Sequence, residues 1–238
     1  MFPFMARFAR VVVPGVPHHV TQRGNRREPI FFEDGDQDVY CDMLAEQTRK
    51  TGVVVWAYCL MPNHLHLILT PSDEAGLGRA LGECHRRYTA FVNARARWTG
   101  HLFAGRFASV AMDEAHLIAA VRYVSLNPVR AGLVPSADDW AWSGVRAHCA
   151  GTSDGLVAVR PVLDRVEDFA TLISPDPETE GRHAGEVQAL RASERTGRPL
   201  GPRSFVDDLE RRLGRPLARR GAGRRPSSAV SQDQTTLL

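Results

Sequence analysis

The chain has 238 residues, 43% of them hydrophobic, 24% charged and 8% aromatic, enough apolar material for one or two packed domains and too ordinary a mixture for a disordered, collagen-like or coiled-coil chain. The formal charge of +3 does not by itself call for a polyanionic partner, and no run of about 18 apolar residues exists to span a membrane. Four cysteines at 41, 59, 84 and 149 form no CxxC pair, so they read as reduced thiols of a cytoplasmic protein rather than a disulfide framework.

In chain order, His18 to Gln22 is a strand candidate that ends at the Gly24-Asn25 turn, with Arg23, Arg26 and Arg27 at its exit. Residues 35–50 have helical spacing, with Tyr40, Met43, Leu44 and Gln47 on one face and Gly52 as the stop. The runs 53–61 and 64–70 flank Pro62-Asn63 and predict a hairpin. A long helix is expected from Ala75 to about Trp98, a strand over 106–112, and a helix capped by Asp113 that reaches about Leu126 before Pro128. The order β-α-β-β-α-β plus one helix is the split βαβ, ferredoxin-like α+β pattern, with an antiparallel sheet and helices on one face.

After Trp142 the pattern weakens. Residues 174–181 read as a linker, 204–217 as one amphipathic helix, and 219–228 as a basic disordered tail. The expected organisation is a domain over 1–150, an accessory helical or irregular segment over 151–218, and a tail over 219–238. Charge alternates along the chain: residues 79–130 carry +5 and residues 131–180 carry −6, which is compatible with one basic and one acidic face. Lys50 is the single lysine. The resulting arginine excess suits phosphate contacts, and codon usage in a GC-rich genome explains it equally well.

His64 and His66 lie two apart in a strand, so their side chains leave the same face while Leu65, Leu67 and Leu69 leave the other. The pair is a candidate for metal binding, although histidines in this arrangement also occur as structural residues. Projected at 100° per residue, His116, Tyr123 and Asn127 share a polar flank of the helix that starts at Asp113. By the same arithmetic Tyr88 falls inside an apolar stripe, and Tyr40 and Tyr58 belong to apolar elements. Tyr123 alone combines a polar neighbourhood with the right spacing for a nucleophile beside a metal-held phosphodiester. Two imidazoles and an amide oxygen would suit Mg²⁺ or Mn²⁺.

The motifs PGVPHHVTQRGNRR (14–27), CLMPNHLHLIL (59–69), GHLFAGRFAS (100–109), RYVSLNPVRAGLV (122–134) and DWAWSG (139–144) make the chain resemble the single-tyrosine HUH transposases, specifically the REP-associated tyrosine transposase branch of the insertion-sequence-200-like superfamily. The resemblance implies a ferredoxin-like fold with the nucleophile on the helix after the last strand. It implies cleavage and rejoining of single-stranded DNA near hairpins through a 5′-phosphotyrosine, with Mg²⁺ or Mn²⁺. Under it Tyr123 is the nucleophile, His64 and His66 are metal ligands, and Asn127 is the third ligand. The DNA contacts expected are Arg23, Arg26 and Arg130, chosen from a set that also contains Arg27, Arg86, Arg87, Arg106 and Arg122. His116 matches no motif, and a surface or supporting role is expected for it.

Two other readings compete. A domesticated hairpin-DNA-binding protein would keep the fold without cutting. A replication initiator or relaxase would share the two-histidine chemistry but normally carries a helicase segment, and the LNPVRAG match argues against it. A zinc site built from Cys59, Cys84 and the histidines lacks ligand spacing. The expected partner is single-stranded or hairpin DNA rather than a membrane, and because relatives include dimers a homodimer is the assembly considered.

Overall fold

The computed structural model describes residues 10–174 and 177–217. Four antiparallel strands, β1 (His18–Arg23), β2 (Val54–Met61), β3 (His64–Thr70) and β4 (Ala108–Ala111), form one sheet in the order β2-β3-β1-β4. Between them lie α1 (Asp36–Thr51) and α2 (Gly76–Ala96), and α3 (Glu114–Ser125) follows β4. The split βαβ order expected from the sequence is therefore the one observed. The expected strand over 106–112 is shorter, because only Ala108 to Ala111 pair with β1.

The hydrophobic alternation of the strands divides the core in two. Val20, Leu65, Leu67 and Leu69 point to the face covered by α1 and α2, where Tyr40, Leu44, Leu81 and Tyr88 are buried. Ile68, Cys59, Met61 and Val110 point to the opposite face, against Leu117, Val121 and Val124 of α3. In β2 the register shifts between Val55 and Ala57, so Trp56 is an extra residue that lets Val55 and Ala57 serve opposite faces. Cys59 and Cys84 lie in cores on opposite sides of the sheet, which rules out a shared zinc ion.

The expectation of helices on one face is corrected here, because the second face is also covered. Its cover comes partly from the region after residue 150. Short helices α4 (Asn127–Arg130), α5 (Val145–Ala150), α6 (Arg160–Leu163) and α7 (Phe169–Leu172) lead into α8 (Pro177–Glu194), which packs against α3 and β4. Residues 177–181, read from the sequence as part of a linker, are thus the first turn of an 18-residue helix. Val187 and Leu190 are its buried apolar residues, and Thr179 is buried near its start. Leu200 then accepts the Asp113 amide at 2.9 Å and donates to Ala111 O at 2.8 Å, which covers the β4 edge. A last helix, α9 (Arg203–Leu213), buries Leu209 with Val11 and Val13 of the N-terminal arm. It starts one residue before the sequence-predicted amphipathic helix and stops at Gly214 in a left-handed conformation. The expected basic tail lies outside the described residues. Among the described residues no helix is long and apolar enough to cross a membrane.

Candidate active site

β1 and β3 pair with Thr21 opposite His66 and Arg23 opposite His64. The period of two therefore brings His19, Thr21, Arg23, His64 and His66 to one face, the one beneath α3 and α8. The His64 and His66 rings meet edge-on at 5.0 Å between centroids. His64 Nδ1 lies 2.7 Å from Asn63 Oδ1, so it serves as the donor in that pair. His66 is buried and its Nδ1 is 3.0 Å from His19 Nε2, the two rings lying nearly parallel.

His19 was not singled out from the sequence, and neither was Glu194 at the end of α8. The two approach one another at 3.7 Å, His19 Nδ1 to Glu194 Oε1. One donor atom from each of His19, His66 and Glu194 lies within 4.8 Å of the others. That spacing is close to the roughly 3–4 Å separations of donors around one divalent ion with bonds near 2.1 Å. Burial lowers the proton affinity of the imidazoles, taking His19 down to about 3 and His64 to about 4, and it holds His66 well below the ordinary value. All three are neutral at physiological pH and carry the lone pairs that ligation requires. Burial has the opposite effect on Glu194, whose affinity for a proton rises. His19 Nδ1 and Glu194 Oε1 are buried without hydrogen-bond partners, and so is Asn127 Nδ2. Orphaned buried polar atoms are costly; with His66 Nδ1–H donating to His19 Nε2, the remaining His19 proton sits on Nδ1 facing Glu194 Oε1, and His66 Nε2 keeps its lone pair for a cation. The Asn127 amide would present its oxygen instead if flipped.

Tyr123 lies on α3 with its ring edge-on to His66 at 5.5 Å and to His19 at 6.2 Å. Two guanidinium groups face the same ring, Arg130 at 5.5 Å and Arg191 at 5.1 Å from its centroid. Arg191 is another residue that sequence reasoning missed. The other tyrosine hydroxyls are engaged elsewhere: Tyr40 with His85, Tyr58 with Asp154 and Tyr88 with the Ile30 carbonyl. Burial raises the proton affinity of all three phenols above the ordinary value.

The helical projection that carried Asn127 onto the same flank does not hold through to that residue. α3 ends at Ser125, and Leu126 separates it from α4, which begins at Asn127 with Pro128 in its first turn. His116 is set apart as well, its Nδ1 lying 2.6 Å from the N-capping carboxylate of Asp113.

The arginines divide by environment. Arg122 is fully buried, with Nη1 donating to Leu172 O and Ser174 O at 2.6 Å each and Nη2 to Glu180 at 3.1 Å, so it is a structural residue and not an available DNA contact. Arg86 is spent on Glu83 and Arg87 on Glu46. Arg130 is bonded to Glu180 at 2.8 Å. Arg23 and Arg106 line an open cleft of about 150 Å³ that also contains His64 and Thr21. Arg26 is exposed in a short 3₁₀ turn just beyond it. Gly24 makes this turn feasible, because a Cβ there would lie 2.1 Å from Glu28 O.

Comparison with known proteins bears on the family and the fold. The family model described as "Transposase IS200 like" matches residues 13–127. A solved REP-associated tyrosine transposase bound to a REP hairpin shares 21% identity and a TM-score of 0.54, over 70% of this chain and 96% of that one. A candidate transposase from Deinococcus radiodurans R1 shares 21% identity over 50% of this chain and 95% of that one, with a TM-score of 0.36. No curated protein matches. The α+β fold is that of the REP-associated tyrosine transposase structure, and residues 13–127 are similar to the IS200-like transposase family.

Proposed function

We propose that the chain is a cytoplasmic DNA strand transferase that cleaves and rejoins single-stranded DNA beside hairpins. The observation that carries this reading is the meeting of Tyr123 with His66 and His19 under two guanidinium groups. The family match over residues 13–127 and the fold shared with a protein bound to a REP hairpin support DNA as the partner.

In the reaction the Tyr123 hydroxyl oxygen attacks the scissile phosphorus, the bond to the 3′ oxygen breaks, and the phenolic proton ends on that oxygen. The products are a 5′-phosphotyrosine and a free 3′-hydroxyl, and attack by a 3′-hydroxyl reverses the step to join a new strand. Arg191, exposed on α8 and without an ion pair among the described residues, would stabilise charge developing on the phosphoryl oxygens, and Arg130 would assist. His64 and His66 are the proposed imidazole ligands of Mg²⁺ or Mn²⁺, with Asn127 or Glu194 as the oxygen ligand and His19 fixing the orientation of His66. When bound, the ion polarises the phosphodiester and orients it. Arg23, Arg26 and Arg130 are the proposed phosphate contacts.

Residues 1–150 are the proposed catalytic domain, and 151–218 an accessory segment whose helix α8 brings Glu194 and Arg191 to it. The test is incubation of the protein with a labelled hairpin oligonucleotide and Mn²⁺, followed by a denaturing gel. A slow-migrating covalent species is expected. Hairpin binding with no cleavage in either Mg²⁺ or Mn²⁺ would favour the domesticated binding protein instead.

A further inference from the structure

A second cleft, of about 290 Å³, opens beyond the 3₁₀ turn that follows β1 and is lined by Asn25, Arg26, Phe32, Asn93, Trp98 and His101 among others. Its volume is near the lower end of the roughly 300–1,000 Å³ that small-molecule sites occupy. Trp98 is 52% exposed and Phe32 39% exposed. The two form an exposed aromatic pair at the wall of the cleft, a platform on which a planar group can stack. Their rings meet edge-to-face at 5.2 Å, so the ring that presents its edge keeps both faces clear of that contact.

The cleft adjoins the one at the candidate active site. Asn25 donates its amide to Leu102 O, and Ala104 donates to Arg23 O, at 2.8 Å each. The paired segments 23–25 and 102–104 thus form the common wall between this cleft and the one that contains His64, Arg23 and Arg106. Arg26 and Glu28 both line this cleft, and Arg23 and Arg106 line the neighbouring one; none of the three arginines forms an ion pair among the described residues, which leaves Arg26 available to a backbone phosphate at the rim. The backbone is also unusual at this rim. Arg26, Arg27 and Arg97, at φ 54°, 66° and 54°, are the described non-glycine residues in the left-handed region, and strain of that kind gathers at binding and catalytic sites.

We propose that this cleft holds an unstacked nucleobase of the single strand flanking the DNA hairpin, stacked on Trp98, with Arg26 on the adjoining phosphate. Asn25 and His101 supply hydrogen-bonding groups at the cleft wall for the edge of the base. The proposal rests on the reading of the chain as a single-stranded DNA transferase and assigns a position for one nucleotide outside the reaction centre.

The test uses the full chain carrying Tyr123→Phe, so that binding is measured without chemistry, and fluorescence anisotropy with a DNA hairpin that bears a single-stranded oligothymidine flank or none. Trp98→Ala should weaken binding of the flanked hairpin by about tenfold and leave the blunt hairpin unchanged, while Trp98→Phe should retain binding within about threefold. An abasic flank should cost the unsubstituted Trp98 protein the same factor and cost Trp98→Ala nothing more. Equal binding of the flanked hairpin by Trp98→Ala, an equal loss on the blunt hairpin, or indifference to the abasic flank would each overturn the proposal. The covalent-adduct assay with native Tyr123 separates the two claims. If no adduct forms while the flank-dependent loss persists, the cleavage reading fails and the nucleobase site stands. If an adduct forms and the loss is absent, only the nucleobase site fails.

Discussion

His19 Nε2 lies 3.0 Å from His66 Nδ1, a contact between neighbouring strands that joins the second histidine of the His64-Leu65-His66 pair to one not singled out from the sequence. The pairing makes His66 a residue held from both sides, with Glu194 in turn 3.7 Å from His19. His66→Ala should abolish Mn²⁺ binding measured by titration calorimetry, and Glu194→Gln or His19→Ala should weaken it by about 10- to 100-fold, the range expected for groups that ligate or orient a ligand. If Asn127→Ala weakens binding and Glu194→Gln does not, the oxygen ligand comes from α4 rather than from α8.

Phosphate contacts and surface arginines can be told apart by salt. Arg23→Ala and Arg26→Ala should each lower the slope of log affinity against log salt by about one. Arg86→Ala should leave that slope unchanged, because its guanidinium is already bonded twice to Glu83.

Arg122 anchors the segment before α8 from inside the second core. Replacing it with methionine leaves the Leu172 and Ser174 carbonyls without their donor and should cost about 1–3 kcal/mol in a urea melt. Glu180→Gln should cost less than about 1 kcal/mol, since that carboxylate is 51% exposed.

Burial holds His18 at about 4, well below the ordinary 6.5, despite the raising effect of its bond to Val16 O. Its Nε2 accepts the Val13 amide, which requires the neutral ring. In the unfolded chain His18 takes up a proton as pH falls through about 6.5, and in the folded chain it does so only near about 4. Stability is therefore lost as pH falls through this window, by up to about 1.4 kcal/mol per pH unit for this one group, and is unaffected by it above about pH 7. His18→Gln should flatten the dependence in urea melts between about pH 6 and about pH 4.5 by that amount. An unchanged slope would show that His18 is protonated in the folded protein.

The parts of the fold legible in the sequence are those with strong periodicity. The β2-β3 hairpin, α1, α2 and α3 follow from apolar spacing and from Gly52, Pro62-Asn63 and Asp113. α8 was not legible, because among its 18 residues Val187 and Leu190 are the large apolar side chains that reach the core, and it opens within a Pro- and Asp-rich stretch that reads as a linker. The loss of that helix hid Arg191 and Glu194 as well. His19 was hidden for a different reason: alternation puts it opposite in sense to His18, and only the β1-β3 register reveals that this is the His66 face. The strand pattern fixed the shared face of His64 and His66 without any tertiary information. The end of α3 near Leu126, before Pro128, was legible, but Asn127 lies beyond that end and opens α4, so a projection made for one continuous helix does not carry to it.

The nucleophile can be identified directly on the covalent adduct. Trypsin should cut after Arg122 and after Arg130, so a covalent DNA adduct formed on a hairpin oligonucleotide with Mn²⁺ can be digested with nuclease and protease and located by mass spectrometry. With Tyr123 as nucleophile, a nucleotide mass is expected on the peptide that begins at Tyr123, and no adduct from Tyr123→Phe. A modified Tyr40, Tyr58 or Tyr88 peptide, or an adduct that forms equally well with Tyr123→Phe, would contradict this assignment.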